Sequence, residues 1–408
     1  MRRKYRRLLW AVLLAGLLVV SMTPAAHAHG EKSQEAFLRM RTIGWVDVKF
    51  SQDRVRQGET FTISGIAKIM DTWPTNLSKG APNTGFLGVI APGPVVIVKE
   101  RTINGESAPS RIDVRKGAIY EFSMTVAGRR VGRWHVHPSF SVKGSGTLLG
   151  PGMWINVEKN PDGFANPVTL ENGKTVNLEN YQLPFTWIWL AITFLIGVAW
   201  MIYWTVPKRT VTNLAVTSQI PLNTDGMDYG LITKKDHRNM NWFAIGTALL
   251  LVVGWIYQAN QFPTKMPQQV VQFAPPEPAI ASAPVFAKAS GATATYDKAS
   301  QTLTMTVNVE NTGQKAMELK EFTTTSLRFV PSAPAATDIP MTVTPSTTVE
   351  PGANTQMTLA LKTPAWETEH LLPIGESQLV VTGILVFDDE DATRNLTEVQ
   401  ANLRPRFE

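Results

Sequence analysis

The sequence predicts a mainly β protein with membrane helices, in which two β-sandwich domains are joined by two transmembrane spans. Short alternating apolar and polar stretches, separated by Gly and Pro turns, fill the chain up to about residue 180 and return after residue 295. Two long, uncharged apolar runs lie between these regions. At 408 residues the chain is long enough for two or three domains.

Residues 1–28 have the pattern of a cleaved secretory signal peptide. Basic residues crowd the first seven positions, Leu8 to Val20 form an apolar core, and Ala26-His27-Ala28 fits a signal peptidase site. The core is too short to span a bilayer comfortably, which favours cleavage over retention as an anchor. Cleavage after Ala28 makes His29 the first residue, so that one residue offers a free α-amine and an imidazole.

The first β domain is predicted to cover residues 29–180. Phe61–Ile66 and Tyr120–Val126 alternate in the manner of half-buried strands, and Val95–Val98 is a continuous apolar run. Short strands with frequent turns indicate an antiparallel sandwich or barrel. A further strand contains Arg133-Trp134-His135-Val136-His137 and is predicted to end at Pro138, with a glycine-rich turn over 144–152 after it.

The His135 and His137 side chains are predicted to face one side of this strand, outward, while Trp134 and Val136 face the core. Residues two apart in a strand share a face and lie about 7 Å apart at the backbone, so the two imidazoles can share a metal ion. Two ligands are too few for a stable site, and His29 is the candidate third. A nitrogen-only ligand set suits copper, whose binding requires neutral imidazoles and a free amine. A His-x-His pair of ordinary surface histidines is the alternative.

The complete absence of cysteine limits the chemistry further. Disulfides are excluded, and so are blue-copper and cysteine-bridged dinuclear copper centres. An electron-transfer subunit with a cysteine-ligated copper centre is therefore disfavoured.

The two apolar runs are predicted to be transmembrane helices over 183–206 and 242–260, although the second also fits a buried core helix. Basic residues concentrate in the connecting segment 207–241, which the positive-inside rule places in the cytoplasm. Both β domains then lie on the periplasmic face. The net charge of +6 is concentrated in this loop and at the N-terminus, a distribution typical of topology signals rather than of nucleic-acid binding.

Residues 261–294, rich in Pro and Ala, are predicted to be an extended linker. The second β domain follows over 295–408, where Leu303, Met305, Val307 and Val309 alternate with polar residues. Its one histidine, His370, has no visible ligand set. We expect it to be an ordinary surface or core residue, in a domain that serves support or partner contacts.

Several motifs resemble those of the B subunit of the copper membrane monooxygenases, the family of particulate methane, ammonia and short-chain hydrocarbon monooxygenases. They begin with His29-Gly30-Glu31-Lys32 and Trp134-His135-Val136-His137, continue with Gly150-Pro151-Gly152 and Leu178-Glu179-Asn180-Tyr181, and extend to Ala365-Trp366-Glu367. The resemblance implies two cupredoxin-like domains joined by two transmembrane helices, and copper as the only cofactor. It also implies a copper site made by His29, through its amine and imidazole, with His135 and His137.

The same resemblance implies partners and a reaction. The partners are two further integral-membrane subunits, of A and C type, in a trimer of heterotrimers that uses O2 to hydroxylate methane, a short alkane or ammonia. A second histidine pair found in some members falls here at Gly44 and Lys68, so the resemblance implies no copper site there. No catalytic residue is assigned beyond the copper site itself. Two alternatives stay open: a structural or assembly subunit with oxidation in a partner, and a stand-alone periplasmic copper-binding protein.

Overall fold

A computed structural model describes residues 34–77, 82, 84–108, 111–170, 173–205, 233–262, 286–332, 338–372 and 379–406. These residues form two compact units. One combines the residues up to Phe164 with those from 286 onward, and the other runs from Ala165 to 262. The predicted first domain, 29–180, crosses this division, because its last short strands pack in the unit that contains the helices.

The N-terminal β region is a sandwich of two sheets preceded by a short helix, α1 (Ala36–Arg41). Its strands are β1 (Ile43–Phe50), β2 (Arg54–Arg56), β3 (Thr60–Ile69), β4 (Gly85–Ile90), β5 (Val96–Ile103), β6 (Glu106–Ser107), β7 (Ile119–Gly128), β8 (Gly132–Val142), β9 (Gly146–Leu149) and β10 (Met153–Glu158). One sheet has the order β1-β3-β7-β5-β6. The other has the order β2-β10-β8-β4, with β9 also paired to β8.

The alternation read from the sequence decides which side chains fill this sandwich. Phe61 and Ile63 on β3, Phe122 and Met124 on β7, and Val136 on β8 are all buried in one apolar cluster. Successive residues of a strand point to opposite faces, so these alternate positions meet between the two sheets. The predicted strands over 61–66 and 120–126 are confirmed.

The prediction that the His-x-His strand ends at Pro138 was wrong. Strand β8 continues through Pro138 to Val142. On one side β8 changes partner there, from β10, which ends its pairing at Val136, to β9, which begins at Ser139. Pro138 therefore lies opposite the turn that joins the two partners, and its carbonyl accepts a bond of 2.8 Å from the Gly150 N–H. A missing N–H at such a break interrupts no regular ladder bond.

The second unit contains a short hairpin and two long helices. Strands β11 (Pro167–Thr169) and β12 (Thr175–Asn177) pair antiparallel, and helices α2 (Leu183–Thr205) and α3 (Lys234–Gln261) follow. The helices lie antiparallel, because Phe185 stacks on Tyr257 at 5.7 Å near one end and Trp200 on Phe243 at 4.6 Å near the other. Both helices are long and apolar enough to cross a membrane.

Helix α3 begins eight residues before the apolar run from which it was predicted. Its first turn is closed by a capping box, in which the Thr233 hydroxyl accepts from the Asp236 N–H and the Asp236 carboxylate accepts from the Thr233 N–H. The Tyr203 hydroxyl of α2 donates to Asp236 at 2.5 Å. The residues of these two additional turns are mostly polar, so the apolar pattern did not predict them.

The C-terminal β region is a single sheet that closes on itself. Its strands are β13 (Ala287–Asp297), β14 (Thr302–Asn311), β15 (Met317–Thr324), β16 (Leu327–Val330), β17 (Ile339–Thr344), β18 (Thr348–Val349), β19 (Asn354–Lys362), β20 (Val380–Asp389) and β21 (Arg394–Arg406), with the short helix α4 (Ala365–Thr368) after β19. The pairing of β15 with β16 closes the ring. Leu303, Met305, Val307 and Val309 of β14 all point into its core, as their alternation predicted.

The two β regions pack directly against each other. A small apolar cluster joins Val46 and Met70 of the first to Ile384, Val386 and Leu396 of the second. Further contacts surround it: the Thr323 hydroxyl donates to the Trp45 carbonyl, the Glu398 carboxylate accepts from the N–H groups of Asp71 and Thr72, and Arg39 and Arg394 form ion pairs with Glu369 and Asp47. These contacts fix the walls of the cleft described next.

Candidate metal centre

The centre is built on β8, where His135 and His137 lie side by side. Their ring centroids are 4.3 Å apart at an interplanar angle of 82°. Both rings lie on the same face of the strand and line one cleft, as expected, but His137 is not exposed to solvent: it is only 2% exposed, whereas His135 is half-buried. Val136 between them points into the core as predicted, and Trp134 is half-buried with its indole N–H donating to the Arg130 carbonyl at 2.7 Å.

The segment between β9 and β10 holds the His137 ring. Nδ1 of His137 lies 2.9 Å from the Gly150 carbonyl oxygen, and a Cβ atom at Gly152 would come within 2.4 Å of the ring. A carbonyl oxygen can only accept, so the Nδ1 of a neutral His137 carries the proton and its Nε2 keeps a lone pair. Metal-binding histidines are commonly oriented by this kind of hydrogen bond on the other ring nitrogen.

The remaining nitrogens fit a copper ion. Nε2 of His137 and Nδ1 of His135 lie 2.9 Å apart. Imidazole nitrogens are common copper ligands, so these two atoms are the ones that would hold the ion. The two nitrogens lie within hydrogen-bonding distance of each other, and a bound metal ion would take the place of the proton of that hydrogen bond.

Both histidines open into a cleft of about 1000 Å³ between the two β regions. The facing wall carries Glu321, whose carboxylate accepts from the Nε of Arg328, and Arg328 in turn donates to both Asp338 oxygens at 2.9 Å. Burial raises the pKa of Glu321 above its ordinary value, and the hydrogen bond from Arg328 opposes that rise. The cleft therefore has two nitrogen donors on one wall and a largely buried acidic group, paired with an arginine, on the other.

The third predicted ligand, His29, lies outside the described residues. Within those residues no three His, Asp or Glu side chains converge as a metal-binding group. His370 is exposed at the end of α4, and Gly44 and Lys68 are direct cross-strand partners in the β1–β3 ladder. A Cβ atom at Gly44 would lie 2.2 Å from Ile384, so this position has no room for an imidazole while Ile384 keeps its place.

Comparison with known proteins decides the family. The family of monooxygenase B-subunit proteins matches residues 30–407. The chain belongs to this family. It is also 33% identical over 396 residues to the particulate methane monooxygenase alpha subunit of Methylococcus capsulatus (strain Bath), and the match covers 94% of this chain and 93% of that protein. The chain is thus a subunit of a membrane monooxygenase, as its motifs indicated.

Solved structures give weaker likenesses to this B subunit. The cupredoxin domain of amoB from Nitrosocaldus yellowstonii matches with 14% identity and a TM-score of 0.25, over 32% of this chain and 99% of that one. A protein of unknown function from Porphyromonas gingivalis W83 matches with 9% identity and a TM-score of 0.18, over 88% and 99%. The fold assignment stands on the sheets described above and on the family.

Sequence reasoning missed the residues that hold the histidine pair in this family member. Gly150-Pro151-Gly152 was predicted as a turn and as a family motif, without a contact to the histidines, and Trp154 was given no role, although Trp154 pairs directly with His135 across the β8–β10 ladder. A usable signal was present, because two glycines and a tryptophan follow the His-x-His strand at hairpin distance. Close backbone approach is one reason for a glycine to occur in such a turn.

Proposed function

We propose that this chain is the copper-binding B subunit of a membrane-bound monooxygenase complex that uses O2 to hydroxylate methane, a short-chain alkane or ammonia. The observation that carries the proposal is the pair of facing nitrogens, Nδ1 of His135 and Nε2 of His137, 2.9 Å apart on the wall of an open cleft. Family membership supports the reaction class, and the nitrogen geometry supports copper.

The third ligand in this proposal is His29, through its α-amine and imidazole. Support comes from Gln34, whose side chain donates to the Thr147 carbonyl at 2.6 Å and accepts from the Leu149 N–H at 3.1 Å. Gln34 is thereby tied to β9 next to Gly150, the residue that holds His137. His29 is five positions before Gln34, a length of chain that can span at most about 17 Å, so the proposed new N-terminus would lie within reach of the pair. Signal-peptide cleavage after Ala28 is then part of site assembly.

Each part of the site has a distinct role. His135 and His137 bind the ion, Gly150 fixes the orientation and tautomer of His137, and the cleft admits small molecules to the open side. Bound copper would supply the redox chemistry for O2 activation. Arg328 neutralises part of the acidic wall.

The arrangement in the membrane follows from the helix pair. Helices α2 and α3 would cross the bilayer, the basic 207–241 segment would stay in the cytoplasm, and both β regions would lie in the periplasm. Large apolar side chains on the helices are exposed, with Trp187 64% and Phe194 69% open. These surfaces would face lipid and the two further membrane subunits, of A and C type, in a trimer of heterotrimers.

The test is oxygen-isotope incorporation by membranes that carry the assembled complex, offered methane, ethane, butane and ammonia in parallel. His137→Ala is compared with His370→Ala, a matched loss of a histidine that is exposed and does not line the cleft. We expect His137→Ala to lose copper from this subunit and to lose product, while His370→Ala keeps both.

The outcomes distinguish a catalytic role of this copper site from a structural one. If His137→Ala loses copper but keeps full turnover in an assembled complex, oxidation belongs to a partner subunit and this site is structural. If the copper content of the subunit does not change, copper binding by this pair is refuted. Binding of copper by the isolated chain, with no association with polytopic partners, would indicate a stand-alone copper-binding protein instead.

A further inference from the structure

Trp154 lies against His135, and the proposed function assigns it no role. It is the direct cross-strand partner of His135. Its indole ring lies 4.9 Å from the His135 imidazole, centroid to centroid, with 31° between the planes. The residue is 51% exposed and lines the same cleft as both histidines. Rings at this separation attract each other beyond simple burial, so the contact restrains both side chains.

A second contact restrains the indole itself. The guanidinium carbon of Arg133 lies 5.0 Å from the Trp154 ring centroid, within the range of a cation–π interaction. Arg133 and His135 are two residues apart on β8 and therefore project from the same face of that strand. Trp154 on β10 thus contacts two successive side chains of one face of β8. The indole cannot rotate away without giving up both contacts.

The two histidines differ in what holds them. The His137 ring is buried, hydrogen-bonded to the Gly150 carbonyl and packed on the Gly152 backbone. His135 is half-buried, on the open side of the site. Rotation of its ring would carry Nδ1 away from Nε2 of His137, and the indole that lies against the ring resists that rotation.

We infer that Trp154 is a positioning residue for the copper centre, whose indole, steadied by Arg133, fixes the plane of the His135 imidazole so that Nδ1 faces His137. This inference rests on the proposed function of His135 as a copper ligand. The segment Gly150–Trp154 then serves both ligands, with its first residues on His137 and its last residue on His135. Residues that orient a metal ligand in this way typically change metal affinity by about 10- to 100-fold when they are removed.

The experiment uses the full complex, stripped of copper with a chelator and titrated with Cu(II). Trp154→Ala, Trp154→Phe and His135→Ala are compared with Val131→Ala, a change of an equally exposed residue that immediately precedes β8. We expect Trp154→Ala to weaken copper binding by about 10- to 100-fold and to change the Cu(II) electron paramagnetic resonance spectrum of the site. Trp154→Phe, which keeps an aromatic ring, should recover most of the affinity, and Val131→Ala should match the wild type.

The outcomes distinguish this inference from the function on which it rests. An unchanged affinity and spectrum in Trp154→Ala, with copper lost in His135→Ala, overturns the role of Trp154 alone. Retention of copper by His135→Ala overturns the ligand assignment itself. If Trp154→Ala fails to assemble, Arg133→Gln decides, because it releases the indole without opening a cavity. In that case a weaker copper affinity and an altered spectrum of Arg133→Gln, both relative to the wild type, support the inference, and a wild-type affinity and spectrum refute it.

Discussion

Replacing Gly152 by alanine should displace His137 by a distance that the structure specifies. The added Cβ would lie 2.4 Å from Cε1 and 2.5 Å from Nδ1 of the ring, whereas an ordinary contact is at least 3.4 Å. Either the ring or the Gly152 backbone must therefore retreat by about 1 Å. His137 is buried, so we expect the move to break the 2.9 Å bond from Nδ1 to Gly150. A displacement of 1 Å in a catalytic arrangement costs about 100-fold in rate.

Copper content and the Cu(II) spectrum of the purified complex measure this effect directly, and isotope incorporation measures its consequence for turnover. Gly88→Ala on β4 is the control, because the atoms nearest to its new Cβ are those of the Phe86 ring, at 3.1 Å, and the Ser139 hydroxyl, at 3.6 Å, so the contact is much less severe than at Gly152. We expect Gly152→Ala to assemble but to bind copper weakly, with turnover about 100-fold lower if this copper is catalytic. Wild-type copper binding with an unchanged spectrum in Gly152→Ala would refute the close-approach reasoning.

Three further changes test the core packing and the charge pairs of the two β regions. Trp366→Ala removes a fully buried ring stacked on a phenylalanine of the C-terminal core, and should lower the free energy of unfolding by about 3–5 kcal/mol, measured in denaturant. Arg39→Ala leaves Glu369 without its ion-pair partner across the two β regions and should cost about 3–5 kcal/mol. Arg39→Met removes the same charge but keeps the buried aliphatic stem, so it should cost less. Glu321→Gln should stabilise the protein at neutral pH. Burial raises the folded-state pKa of Glu321 above 4.5, so its protonated form is favoured in the fold, and the resulting stability is present below pH 4.5 and lost as the pH rises through the folded value. The advantage of the glutamine, read from melting temperatures across pH, should therefore vanish in acid.

For each of these three predictions, one outcome would contradict the reasoning. A Trp366→Ala protein as stable as the wild type would mean that the C-terminal core relaxes to fill the cavity. An Arg39→Ala protein as stable as the wild type would show that Glu369 is not left as an uncompensated buried charge, and equal losses for Arg39→Ala and Arg39→Met would show that the packing of the arginine stem contributes nothing measurable. A Glu321→Gln protein that is less stable at neutral pH would show that the ion pair with Arg328 outweighs the burial of the carboxylate.

The elements that could be predicted were those whose signal is local. Alternation placed Leu303, Met305, Val307 and Val309 in a core, because side-chain direction in a strand repeats every two residues whatever the strand pairs with. Length and apolar composition predicted two long helices, because these are also properties of a continuous stretch of chain and do not depend on what the stretch packs against. Pro138 was misread as a strand end. A proline ends a strand only where a paired strand would need its missing N–H. The strands that pair with β8 on either side of Pro138 come from residues 146–158, further along the chain, so the local sequence does not show this.

For the site, the sequence by itself determined what the proposed ligand chemistry rests on: the absence of cysteine, the shared strand face of His135 and His137, and the family to which those motifs belong. Tertiary structure decided which ring is buried, which nitrogens face each other and what holds them. Those properties depend on Gly150, Gly152 and Trp154, brought opposite the histidines by the β8–β10 pairing. Strand register and the contact between two separate β regions are nonlocal, and they set the wall of the cleft that carries Glu321. No spacing along the chain encodes them.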